Sequence, residues 1–265
     1  MTVSSFHNLV WAFYRHSKRD FPWRSTTDFY KILVSEIMLQ QTQAPRVVDH
    51  YRSFLQKFPS VVTLARATQA DVVSAWQGLG YYRRARFIHQ SAKEICRRNW
   101  DVETPTDPKL LSELPGIGYN TAAAILVYSK NLPIGFVETN IRTVIIHHFF
   151  ADKDKTSEKE ILSKVIEVLN HDNPREWYWA LMDYGTSLKK QGLTTHRKAS
   201  VYTKQSTFVG STRQLRAGIL RFVSRGPQSL TQLEHEFFDQ RLEEALEGLI
   251  RDKLIQTKAN IYFLY

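Results

Sequence analysis

Residues 28–41, DFYKILVSEIMLQQ, carry a carboxylate inside an otherwise apolar helical pattern. Phe29, Leu33, Glu36 and Gln40 recur at spacings of 4, 3 and 4, which puts them on one helix face. A carboxyl held against such a face loses hydration. Its neutral form is then favoured, and it can act as a general acid near neutral pH. The same residue can instead be a partly exposed partner of Lys31 or Arg46, and spacing alone leaves both readings open.

A second chemical feature lies in residues 107–130, DPKLLSELPGIGYNTAAAILVYSK. Asp107 and Pro108 form a cap and first-turn pair for a short helix, and a second helix starts near Tyr119. Between them, Leu114-Pro115-Gly116-Ile117-Gly118 allows a tight turn, and the N–H groups that open the second helix can face an anion. Leu114 and Ile117 are expected to anchor the turn in the core. Leu114, Gly116, Gly118 and Thr121 are the candidate phosphate-binding positions. A plain helix connection would look much the same.

The elements that must position these groups are mainly helical. From about Phe6 to Lys190, apolar residues recur at helical spacing between Pro, Gly and Asx breaks, with no repeat. Gly185–Arg213 contains Lys189, Lys190, Arg197, Lys198 and Lys204 but no acid, and reads as a basic connector. Beyond it, helices are expected at 211–224, 229–238 and 241–252, then two strands at 254–257 and 261–264 joined by a turn at 258–260. Three helices and a hairpin resemble a winged helix.

Charge points to the partner. The 265 residues hold 36 Lys and Arg against 26 Asp and Glu, a net of +10, which favours a polyanion, nucleic acid before an anionic membrane. Residues 211–265 are nearly balanced, with 8 basic and 7 acidic residues, so the excess lies in the helical part. No leader pattern or membrane-length apolar run is evident, so a soluble, intracellular, cytoplasmic or nucleoid-associated protein is expected. The single Cys96 excludes an internal disulfide and a thiolate-built zinc or iron-sulfur site. His196 is a lone His of the kind usually found exposed, and no metal site is expected.

Four segments in order, 18–24 KRDFPWR, 35–43 SEIMLQQTQ, 78–86 GLGYYRRAR and 114–122 LPGIGYNTA, resemble the motif set of MutY-type adenine DNA glycosylases. These belong to the helix-hairpin-helix superfamily that includes endonuclease III. The resemblance spans about Phe6 to Lys190. It implies a mainly α, two-lobed fold, with one lobe from 1–27 and 131–187 and the other from 28–130, followed here by a 188–210 connector and the 211–265 winged-helix-like unit. It also implies a monomer acting on double-stranded DNA that carries a mismatch or oxidised base. Glu36 matches the acid that protonates a purine at N7. Arg19, Trp23 and Arg24 fall in the segment that contacts the extruded base. Gln41 and Tyr81 match residues that enter the base stack as a wedge.

The departures from that pattern are local. Where the family usually has an Asp before a Gly-Asn pair, this chain has Glu138-Thr139-Asn140. Glu138 is then expected to stabilise the sugar cation and orient a water, with Asn140 supporting it; a surface pair with Arg142 or a helix-start acid is the plain alternative. Asn120 stands where bifunctional relatives carry a Schiff-base lysine, so hydrolysis without strand cleavage is expected, and Asn120 can help hold Glu138. Many relatives place four cysteines after the Met182–Gly185 stretch; this chain has none, so no iron-sulfur cofactor is expected. The 211–265 unit is too small for the domain that reads 8-oxoguanine in MutY-type enzymes. The expected activity is therefore a monofunctional base excision repair glycosylase removing adenine opposite 8-oxoguanine or guanine. The alternatives are a thymine or uracil mismatch glycosylase and, in another class, a non-catalytic DNA-binding protein.

Overall fold

The computed structural model describes residues 1–193, 195–200 and 207–265, apart from the His196 side chain; Lys204 of the basic connector and the side chain of His196 thus lie outside the described residues. In chain order the helices are α1 (Val3–Ser17), α2 (Phe29–Leu39), α3 (Ala44–Lys57), α4 (Val61–Arg66), α5 (Gln69–Ala75), α6 (Arg83–Arg97), α7 (Pro108–Leu111), α8 (Tyr119–Lys130), α9 (Thr139–Phe149), α10 (Glu158–Glu167), α11 (Pro174–Lys190), α12 (Thr212–Val223), α13 (Leu230–Glu236) and α14 (Leu242–Arg251). The strands are β1 (Gln228–Ser229), β2 (Ile255–Lys258) and β3 (Ile261–Leu264). Short 3-10 turns run over Pro22–Arg24 and Thr195–Lys198.

The chain forms two compact units. The first comprises Met1–Ile32, Thr106–Glu113 and Ile117–Lys204. Its centre is α11 packed on α9 and α1. The Phe6 ring of α1 meets Trp177 of α11 edge-on at 5.8 Å, and Val10, Ile141, Val144, Trp177 and Leu181 are fully enclosed. Asn173 caps α11 ahead of Pro174, and Ser157 and Glu160 close a capping box on α10. Gly185 permits the close approach of α11 to α9, because a Cβ there would lie 2.3 Å from the Asn140 carbonyl oxygen.

The second unit comprises Leu33–Pro105, Leu114–Gly116 and Gln205–Tyr265. The turn of α4 and α5 against α6 encloses Leu64, Val72, Trp76, Ile88 and Ile95. The C-terminal segment belongs to this unit. Gln77 Nε2 donates to Ser224 Oγ at 2.6 Å, Arg86 donates to the Asp252 carbonyl at 2.9 Å, and Arg216 pairs with the Asp252 carboxylate.

Within the C-terminal segment the three expected helices form as α12, α13 and α14. The two expected strands form as β2 and β3, joined by Ala259 and Asn260 at φ +50° and +59°, as a tight hairpin requires. The sheet has one strand more than expected: β1 pairs antiparallel with β3, giving the order β1-β3-β2. Two residues, Gln228 and Ser229, are too short a run to show alternation in a sequence. No helix among the described residues is long and apolar enough to cross a membrane.

Candidate functional site

The chemistry-bearing groups fall in both units, and each cluster has its own logic. In the first unit Glu138 occupies the N-cap of α9. Its Oε1 accepts from the backbone N–H groups of Asn140 at 2.7 Å and Ile141 at 2.9 Å, and its Oε2 from Asn140 Nδ2 at 3.2 Å. Thr186 Oγ1 donates to Asn140 Oδ1 at 3.4 Å, and Val137 N–H donates to Asn120 Oδ1 at 3.4 Å, so Asn120 is bonded to the segment entering the cap. Of the plain alternatives, the helix-start position is the one Glu138 adopts; Arg142 pairs with Glu158 at 2.8 Å.

Burial raises the Glu138 carboxyl above its ordinary range, and the N–H groups of Ile141 and Asn140 and the charges of Lys189 and Arg142 oppose that rise. The group combines a helix N-terminus, which favours an anion, with a poorly hydrated setting that makes the anion costly. Lys189 of α11 is itself lowered by burial, while the Glu138 charge works to raise it. Lys189 was only one basic residue of the connector in the sequence, because its position relative to Glu138 depends on the α11–α9 packing.

Arg19, Trp23 and Arg24, expected near an extruded base, are organised by a residue the sequence did not single out. Asp183 of α11, 2% exposed, accepts from Arg19 Nε at 2.6 Å and from both terminal nitrogens of Arg24 at 2.8 Å. Trp23 is buried and stacks on Phe21 at 4.9 Å with the rings 8° apart. Arg24 is thus a framework cation, its side chain 5% exposed, whereas Arg19 keeps 30% of its side-chain surface. The available signal for Asp183 was an acid amid the aromatic and aliphatic run WYWALMDYG.

In the second unit Glu36 lies on the last turns of α2, partly exposed, between the buried Ser35 and Ile37. Arg46, one of its expected alternatives as partner, donates to the Gly78 carbonyl. α2 ends at Leu39, two residues short of the helix expected over 28–41, and Gln41 takes φ +56°. Tyr81 also takes a positive φ, +46°. One side chain holds both turns: the buried Arg84 donates to the carbonyls of Ile37, Met38 and Gln40 at 3.0, 2.7 and 2.6 Å, and to those of Leu79 and Gly80 at 3.3 and 3.1 Å. Its burial pushes the guanidinium down to about 10. In the sequence Arg84 is only one basic letter of a motif.

The expected hairpin turn is present. Leu114 and Ile117 are buried, as anticipated. Gly116 takes φ +75°, and a Cβ there would meet the Phe87 ring at 2.6 Å; its carbonyl accepts from Gln40 Nε2 at 3.2 Å. Gly118 has an ordinary φ of −86° and serves as the N-cap of α8, so only the first glycine is needed for the turn itself. Tyr119, Asn120 and Thr121 precede the first helical bond, from Ala122 N–H to the Gly118 carbonyl at 2.9 Å. That is the arrangement of N–H groups suited to a phosphate.

Among the described residues no group of three or more His, Cys, Asp or Glu is placed to hold a metal. An iron-sulfur cluster, which the resemblance associates with this fold, does not fit the donors present: Cys96 in α6 is the sole thiol, and the run from Thr186 to Gln205 has none.

Comparison with known proteins agrees with this architecture. Residues 34–169 match the HhH-GPD superfamily base excision DNA repair protein family. The chain is 30% identical over 281 residues to adenine DNA glycosylase of Mycolicibacterium smegmatis, covering 98% of this chain and 95% of that one. It is 34% identical over 189 residues to adenine DNA glycosylase of Buchnera aphidicola from Baizongia pistaciae, covering 70% of this chain and 53% of the relative. The chain thus spans about half the length of the Buchnera relatives it matches. Among solved structures it resembles a thermostable thymine-DNA glycosylase, with TM-score 0.62 and 22% identity over 76% of this chain and 96% of that one. It also resembles endonuclease III trapped on DNA, with TM-score 0.61 and 15% identity over 84% and 99% of the two chains. The chain is a member of the HhH-GPD superfamily of base excision DNA repair proteins, on its MutY-type, adenine DNA glycosylase branch.

Proposed function

We propose that this protein is a monofunctional DNA glycosylase that binds double-stranded DNA as a monomer and removes adenine opposite 8-oxoguanine or guanine. The observation that carries the reading is the Glu138 cap: a carboxylate at a helix N-terminus, with Asn140 bonded to it and Asn120 bonded to the chain that delivers it. The mycobacterial relative, which matches nearly the full chain, is an adenine DNA glycosylase, and that supports adenine as the base.

In this reading the target nucleotide leaves the stack while Gln41 and Tyr81 fill its place. Glu36 donates its proton to adenine N7. The bond between N9 and C1′ breaks with its electron pair going to the base, which departs neutral. Glu138, ionised, stabilises the cation that develops on the sugar and takes a proton from the attacking water, leaving an abasic site with a C1′ hydroxyl. Asn120 has no amine for a Schiff base, so the strand stays intact. Leu114, Gly116, Gly118 and Thr121 are assigned to the phosphate grip, Arg19 to the base pocket, and Trp23 and Arg24 to its framework. No cofactor takes part.

A panel of duplexes with every mismatch and common oxidised base, treated with hot alkali after incubation, tests this. Cleavage at adenine opposite 8-oxoguanine or guanine is the expected result, with little borohydride-trapped covalent complex. Processing of thymine or uracil opposite guanine with adenine ignored would overturn the substrate, and efficient trapping would overturn the monofunctional assignment.

A further inference from the structure

Beside the proposed wedge, the C-terminal unit contributes to a concavity to which the proposed mechanism gives no role of its own. It has a volume of about 480 Å³ and lies wholly within the second compact unit. On one side it is lined by Gln41, Arg46 and Tyr81, and on the other by Phe208, Arg213 and Arg221, from α12 and the turn that precedes it. Arg213 donates to the Tyr81 hydroxyl, its guanidinium lies 5.3 Å from the centre of the Tyr81 ring, and a second bond to the Thr207 carbonyl at 3.3 Å sets its direction. Arg221 is exposed, and Phe208 leaves 46% of its surface open.

Three guanidiniums gathered around three aromatic rings, those of Tyr81, Tyr82 and Phe208, with no carboxylate in the lining, repel one another in the free protein. They suit a ligand that brings both acceptor atoms and a π face, which is a nucleotide. A guanidinium fork matches the paired acceptors on the edge of guanine, and Phe208 offers a stacking surface.

We propose that this concavity receives the base left unpaired on the strand opposite the excised nucleotide, and that Arg213 and Arg221 determine which opposite base is preferred. The inference rests on the reading of Gln41 and Tyr81 as the wedge in the proposed glycosylase: a wedge in the gap leaves the orphaned base beside it, where Arg213 is already attached to Tyr81. The residues from the C-terminal unit would then take a direct part in opposite-base selection.

The test measures binding, independently of excision. Duplexes carrying a tetrahydrofuran abasic analogue opposite guanine, 8-oxoguanine, thymine or cytosine are titrated with wild-type protein and with Arg213→Gln, Arg221→Gln, the double variant, Arg213→Lys and Phe208→Ala. The expected result is a preference for the guanine-type partners in the wild type. The double variant should lose roughly tenfold or more in affinity for those duplexes and much less for thymine or cytosine, so that the preference narrows. Arg213→Lys keeps the charge but not the fork and should lose discrimination more than affinity. Arg221 and Phe208 are exposed, so their variants report even if Arg213→Gln melts early. Unchanged affinities, or an equal loss against all four partners, would overturn the proposal. Because the analogue has no base to remove, this outcome is independent of the excision panel that tests the glycosylase reading itself.

Discussion

The two carboxylates at the centre of this account sit on their helices in opposite ways. Glu138 is at the start of α9, where N–H groups not yet used by the helix turn toward it; Glu36 is near the end of α2, where the surrounding N–H groups are spent on the helix's own bonds. The N–H groups at the N-cap oppose the rise that burial causes in the Glu138 carboxyl, and Glu36 stands partly exposed between the buried Ser35 and Ile37. In the proposed mechanism these two settings carry different roles, Glu138 that of charge stabiliser and Glu36 that of proton donor.

Removing the charge of Glu138 gives the largest effect on that side of the comparison. Glu138→Gln should slow single-turnover excision by roughly 10²–10³-fold. Glu138→Asp, which keeps a capping carboxylate but withdraws it by one methylene, should lose distinctly less. Equal losses in the two variants would mean that reach matters and charge does not.

Gly185→Ala attacks the same site from behind. The new Cβ would press on the Asn140 carbonyl, so α11 or α9 must shift, and we expect a loss of about 1–3 kcal/mol in stability by urea titration together with slower excision. A variant as stable and active as wild type would show that the α11–α9 approach does not set the cap.

Acid dependence sharpens the comparison further. The Glu138 carboxyl is raised above 4.5 by burial, so the excision rate should fall with decreasing pH through a limb above the ordinary carboxylate value. The Lys189 charge holds that carboxyl down, and Lys189→Met should move the limb to higher pH. A limb that stays in place in the variant would remove Lys189 from the site.

The smallest effect concerns stability alone. His148, packed against Tyr184 at 5.6 Å and bonded to its hydroxyl at 2.9 Å, is pushed down to about 4 from 6.5, by burial first and then by His147. The unfolded imidazole takes up its proton as pH falls below 6.5, while the folded one resists until about 4. Its contribution is therefore complete above pH 6.5 and declines across that window. Partial exposure limits the loss to no more than about 2 kcal/mol, and His148→Gln should flatten that part of the stability profile.

Much of this is legible in the amino-acid sequence alone, for identifiable reasons. The helices show themselves through apolar spacing and through the Asp107-Pro108 cap. The hairpin turn does so through its two glycines, and the C-terminal helices and strands through alternation and the Ala259-Asn260 turn. What stays hidden depends on distant chain segments meeting. Asp183 gains its meaning from Arg19 and Arg24, some 160 residues earlier. Arg84 gains its own from the end of α2 and the Gly78–Tyr81 turn, and β1 exists only because β3 returns to pair with it. The contact between Arg213 and Tyr81 belongs to the same class, since no local pattern links α12 to a turn 132 residues away.

The most direct test is single-turnover excision of adenine opposite 8-oxoguanine by Glu36→Gln, run beside equilibrium binding of the same protein to an abasic-analogue duplex. The rate should fall on the order of 10²–10⁴-fold while affinity stays within a few fold, because the amide keeps the shape of Glu36 but has no acid proton to give. A rate near that of the wild type, with binding intact, would contradict it.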